Sequence, residues 1–102
     1  MKYQRTERFV ADYRRLSVDE RTLFREAVRQ MNDAYTRRGA QPLPSWPATL
    51  RVKSVRSAPG IWEMTWSFAG PDGRATFELI TIDGEPAIRW RRVGDHRIFE
   101  EP

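Results

Sequence analysis

The chain contains no cysteine, a single histidine and only two lysines. Without cysteine there are no disulfide bonds and no thiolate nucleophile. His96 alone cannot complete one of the usual zinc sites. No nucleophile elbow, phosphate-cradling glycine loop or dinucleotide fingerprint is present, so no cofactor and no metal are expected. Any hydrolysis by this chain has to be metal-free. The first ten residues, MKYQRTERFV, hold no apolar run of signal-peptide length, and no segment approaches the roughly 18 apolar residues of a membrane span. A cytoplasmic protein without a membrane partner is expected.

What is present points to a folded, basic domain. A chain of 102 residues with 39% hydrophobic residues and 12% aromatic residues is expected to form one domain, residues 1–102, around one core. Arginine supplies 16 of the 18 basic side chains, and the net charge is +4. Guanidinium groups bind phosphate bidentately and stay charged, which suits a polyanionic partner. A genome rich in arginine codons would give the same count. Residues 1–49 carry ten basic and six acidic side chains and residues 50–102 carry eight of each, so net charge does not locate a site.

Periodicity divides the chain in two. Phe9, Tyr13 and Leu16 recur at helical spacing. A second helix begins at Ser17, whose spacing to Glu20 is that of a capping box, and continues through Phe24, Ala27, Val28, Met31, Ala34 and Tyr35 to a stop at Arg37, Arg38 and Gly39. The two should form an antiparallel hairpin. Three prolines in AQPLPSWPA exclude a helix or a central strand there. Beyond it the period becomes two, in LRVKSVR, IWEMTWSF, RATFELITI and AIRWRRV, separated by short turns. An α+β fold is expected, with the hairpin packed on one face of an antiparallel sheet of about four strands.

Alternation assigns the faces of that sheet. Leu50, Val52, Trp62, Met64, Trp66, Phe68, Ala75, Phe77, Leu79, Ile88 and Trp90 share the apolar side. The other carries Arg51, Lys53, Glu63, Thr65, Arg74, Thr76, Glu78, Arg89 and Arg91, with Arg56 or Arg92 added from a strand end. A solvated face with cross-strand ion pairs is one reading; a surface that tracks the phosphates of RNA or DNA is the other. The tryptophans fall on the core side, not where bases would stack. His96 reads either as a surface or capping residue or as an acid–base group. Cleavage of RNA by its own 2′-hydroxyl needs a base, cations for the phosphorane and an acid. Arginine meets only the second need, so proton transfer falls to His96, Lys53 or a carboxylate, with Glu63 or Glu78 in reserve.

In order and spacing, LRVKSVRSAPGIWEMTW, GRATFELIT and IRWRRVGDHRIFEEP resemble the RelE/ParE superfamily of bacterial toxins. The shared features are Gly60 and Trp62 opening a strand, Arg74 followed by Phe77, and the terminal pair His96 and Phe99. The resemblance implies a toxin neutralised by a cognate antitoxin in a heteromer, and usually an endoribonuclease that cuts mRNA at the ribosome. It implies that Arg74 contacts the scissile phosphate, that Arg51 and Lys53 bind phosphate or assist proton transfer, and that His96 serves as acid or base. Arg56, Arg89 and Arg91 are further candidates for RNA contact. Two positions depart from the pattern: Phe99 stands where many members have a catalytic tyrosine, and Pro47, Ala48 and Thr49 stand where some have a glutamate base. The gyrase-directed branch, and an inactive member that binds only antitoxin or nucleic acid, are the rival readings.

Overall fold

The computed structural model describes residues 1–67 and 72–102. Its elements are β1 (Lys2–Arg5), α1 (Glu7–Arg15), α2 (Val18–Thr36), a 3-10 turn (Ala48–Leu50), β2 (Lys53–Ser54), β3 (Trp62–Ser67), β4 (Gly73–Ile82), β5 (Glu85–Gly94) and a C-terminal 3-10 helix (His96–Glu100). The five strands form one sheet in the order β1-β5-β4-β3-β2. This is the expected α+β arrangement with one strand more. Phe68 and most of the turn AGPDG lie outside the described residues.

Both helices start as their sequences dictate. Thr6 accepts from the Phe9 N–H to cap α1, and Ser17 and Glu20 exchange hydrogen bonds in a complete capping box for α2. Each cap satisfies N–H groups that the first turn leaves without partners. Helix α2 stops at Arg37, and Gly39 beyond it takes the left-handed conformation, φ +66°, as in helix ends that close on glycine.

The apolar stripe of the hairpin meets the sheet through aromatic rings. Phe24 packs edge-on against Trp90 and Trp66, with centroids 5.3 and 6.0 Å away, and Phe77 meets Trp90 at 5.4 Å. Phe9 stacks on Trp90. Each such buried side chain contributes about 1.5–3 kcal/mol. Trp46, from the proline-rich linker, also packs edge-on against Phe77. The linker therefore closes one end of the core as well as joining the two halves.

Strands β4 and β5 join through Asp83 and Gly84, both with positive φ. Asp-Gly is the pair that a two-residue hairpin turn of this twist prefers. At the other end of β4, a Cβ on Gly73 would stand 2.6 Å from the Trp66 indole. Glycine is required there by close approach, and the same indole donates to the Arg74 carbonyl at 2.9 Å.

Three features differ from expectation. The sheet is mixed, because Lys2–Arg5 pairs in parallel with β5, setting Lys2 opposite Ala87 and Arg5 opposite Trp90. All four residues of β1 are exposed, so no apolar alternation could announce it. The strand expected from Leu50 shrinks to Lys53 and Ser54. Arg51 takes a left-handed conformation, φ 48°, after the 3-10 turn, which breaks the extended run while leaving Leu50 buried and Val52 packed on the core. Lastly, Thr65 and Thr76 on the polar face are fully buried and Glu63 nearly so. At Thr76 the cover is the C-terminal segment, whose Pro102 main-chain oxygen accepts from the Thr76 hydroxyl at 3.1 Å.

Candidate functional site

The polar face is assembled by strand register. Lys53 lies opposite Glu63, Glu63 opposite Thr76, and Thr76 opposite Arg92; Arg74 lies opposite Thr65 and Gly94. These pairings bring Lys53, Glu63 and Arg74 into one cluster. The Glu63 carboxylate is 3.7 Å from Lys53 Nζ and 3.9 Å from Arg74 Nη1. Arg74 directs its closer bonds elsewhere: Nη1 donates to Thr65 Oγ1 at 2.6 Å and Nη2 to Asp72 at 3.2 Å. With its side chain 15% exposed and Glu63 11% exposed, the pair is screened less than a surface ion pair.

A second cluster lies along β4 and β5. Arg89 and Arg91 both donate to Glu78 Oε1, at 3.1 and 3.2 Å, and Arg89 also reaches Gln4 on β1. Partial burial is the largest single influence on the Glu78 carboxyl and pushes its pKa up. The hydrogen bonds and charges of Arg89 and Arg91 together outweigh it and hold the group below the ordinary carboxylate range. A depressed folded-state pKa stabilises the protein fully above the unfolded-state value, and that contribution disappears as pH falls through the folded one. Glu78→Gln should therefore cost on the order of 1 kcal/mol near neutral pH and converge on the parent as the pH drops through the lowered folded-state value, read from urea melts from neutral into the acid range. A gap between the two proteins that stays constant in acid would contradict the ion-pair assignment.

The third cluster was not anticipated. Asp12 on α1 is buried and accepts from Arg92 Nε at 2.7 Å, from Arg92 Nη2 at 3.3 Å and from the Val93 N–H at 3.2 Å. The pairs across β4 and β5 shift register between Thr76 and Phe77, so that neither Arg92 nor Val93 follows the simple alternation of the strand. A sequence signal did exist. Asp12 sits three residues after Phe9 and four before Leu16, an acid within an apolar stripe, where burial demands a partner.

The remaining candidates are more dispersed. His96 opens the C-terminal 3-10 helix two residues past Gly94; it is exposed and packs edge-on against Phe99 at 5.2 Å. No hydrogen bond joins it to Arg74 or Glu63 among the described residues. Asp95 caps that helix by accepting from the Arg97 N–H. Arg56 is exposed in the loop after β2, and Arg51 is exposed at the left-handed turn before it. The C-terminal segment is tied down by Arg91 Nε on the Pro102 oxygen, by Arg92 Nη1 on the Glu101 oxygen and by an Arg8–Glu101 ion pair. Among the described residues no group of three or more His, Asp or Glu side chains stands close enough to hold a metal ion, and no helix is long and apolar enough to cross a membrane.

The helical hairpin packed on this sheet recurs in solved structures. The chain is similar over 98% of its length to a mutant of the E. coli toxin RelE in the free state, with TM-score 0.59 and 14% identity, covering 90% of that chain. A chain of the intact E. coli RelBE toxin–antitoxin complex matches with TM-score 0.55 and 17% identity over 92% of this chain and 94% of that one. The YoeB/ParE toxin from Agrobacterium tumefaciens matches with TM-score 0.55 and 14% identity over 94% and 99%. No family model matches the chain, and no curated protein matches it significantly by sequence. The chain thus has the fold of the RelE and YoeB/ParE toxins.

Proposed function

We propose that this chain is the toxin of a toxin–antitoxin pair, a single domain over residues 1–102, acting in the cytoplasm as a metal-independent endoribonuclease that cleaves mRNA on the ribosome and so stops translation. The observation that carries this reading is the Lys53–Glu63–Arg74 cluster on the polar face of a toxin fold. It joins cations for a phosphate to a carboxylate across two neighbouring rows of the sheet, Lys53 opposite Glu63 and Arg74 in the row of Thr65. Arg74 binds the scissile phosphate, and Lys53 and Arg51 neutralise charge that develops on it. Arg56, Arg89 and Arg91 meet flanking phosphates, and His96 donates the proton to the leaving oxygen. A cognate antitoxin is the expected protein partner, since a similar solved chain comes from a toxin–antitoxin complex.

A gyrase-directed poison is the second reading, and one observation favours it. The ring beside His96 is Phe99, which neither donates nor accepts a proton. Pulse-labelling after induced expression in a bacterium lacking the antitoxin separates the two. Immediate collapse of amino-acid incorporation with intact DNA supports mRNA cleavage. DNA breaks with an intact message pool would overturn it in favour of gyrase, and unimpaired growth would overturn both.

A further inference from the structure

The ribonuclease reading leaves the 2′-hydroxyl proton without an acceptor, because His96 is assigned to the leaving group and arginine cannot deprotonate. The carboxylates on or beside the polar face differ sharply in how they are engaged. Asp12 accepts three hydrogen bonds from Arg92 and the Val93 N–H. Glu78 accepts from Arg89 and Arg91. Asp72 accepts from Arg74. Glu63 differs from all three, because its neighbouring cations, Lys53 and Arg74, stand 3.7 and 3.9 Å away, beyond hydrogen-bond distance. The reason is geometric: Thr65 and Asp72 hold the Arg74 guanidinium at closer range than Glu63 does. The Glu63 carboxylate is thereby set beside the Arg74 guanidinium, within ion-pair range of two cations and hydrogen-bonded to neither, so that its acceptor capacity is not spent on them.

We infer that Glu63 is the general base of this site. The inference rests on the ribonuclease reading and adds to it an assignment of the proton. The RNA 2′-hydroxyl gives its proton to the Glu63 carboxylate as O2′ bonds to phosphorus. The P–O5′ bond breaks, and O5′ takes a proton from the His96 imidazolium. The products are a 2′,3′-cyclic phosphate and a 5′-hydroxyl, and Glu63 and His96 return to their starting states by exchange with water. Lys53 and Arg74 hold the anionic phosphate against the carboxylate during the step.

The test uses the full chain and Glu63→Gln, which keeps size and removes the base. Single-turnover cleavage is measured on an mRNA both free and bound to programmed ribosomes, and affinity is measured for the same RNA carrying a 2′-deoxy residue at the cut. Cleavage is expected to fall by on the order of 10²- to 10⁴-fold, with affinity for the deoxy analogue held within about threefold. The acid limb of the pH–rate profile should vanish in the variant, and Glu63→Asp should recover part of the rate. A Glu63→Gln protein that still cleaves within about threefold of the parent overturns the assignment. So does a loss of cleavage matched by an equal loss of affinity. A parent chain that binds RNA without cutting it, on or off the ribosome, overturns the ribonuclease reading and this assignment together.

Discussion

Arg74→Ala is expected to reduce single-turnover RNA cleavage by on the order of 10²- to 10³-fold, the effect of removing one donor to a developing oxyanion. Its binding of RNA should also lose about one unit of salt-dependence slope, as for removal of one phosphate contact. Arg74 earns this weight through position. It is central on the polar face, it is largely buried, and Thr65 and Asp72 fix its planar head. Arg74→Lys should recover little, because a point charge on a flexible stem does not reproduce the planar, forked set of donors. The substitution also removes bonds to Thr65 and Asp72, so thermal melts must accompany the kinetics. Cleavage that survives Arg74→Ala to within about threefold, in a folded protein, would remove the arginine from the chemistry.

The largest effect on stability is expected at Asp12, outside the proposed chemistry. Asp12→Ala should destabilise the fold by about 3 kcal/mol, because it leaves the partly buried Arg92 guanidinium with only the Glu101 carbonyl as a partner and the Val93 N–H with none from Asp12. For a chain of this size that corresponds to a fall in Tm of more than about 10 °C. The cost comes from the orphaned charge and not from the attraction itself. The double replacement Asp12→Leu with Arg92→Met should therefore recover most of the stability that Asp12→Ala loses. If Asp12→Ala melts within a few degrees of the parent, the buried pair is not holding α1 to β5.

How much of this was legible in the sequence depended on whether a periodic signal existed. The capping box at Ser17 and Glu20 carried a fixed polar spacing, and the long stripe of α2 and the alternation of Trp62, Met64 and Trp66 carried regular apolar repeats; the structure follows all three. Strand β1 carried none, being exposed throughout and held by main-chain pairing to β5. The first sheet strand was over-extended because Leu50 and Val52 mimic alternation. Leu50 instead reaches the core from a 3-10 turn, after which Arg51 bends the chain.

The site was legible by face and not by depth. Alternation placed Lys53, Glu63, Arg74, Glu78, Arg89 and Arg91 on one side, and the structure groups them there. Alternation could not foresee that Thr65 and Thr76 would be buried beneath partners, since the cover at Thr76 comes from a segment 26 residues away. Nor could it rank the carboxylates. Glu63 and Glu78 look alike along their strands, and only cross-strand distances separate the one tied by two arginines from the one set apart from its cations.

The proposed activity predicts a particular chemical end on its product. Purified protein incubated with ribosome-bound, end-labelled mRNA in excess chelator should release upstream fragments ending in 2′,3′-cyclic phosphate and downstream fragments beginning with 5′-hydroxyl, and a 2′-deoxy residue at the cut should block release. Fragments ending in 3′-hydroxyl, or intact message beside inhibited gyrase, would contradict the assignment of the polar face to metal-free RNA cleavage.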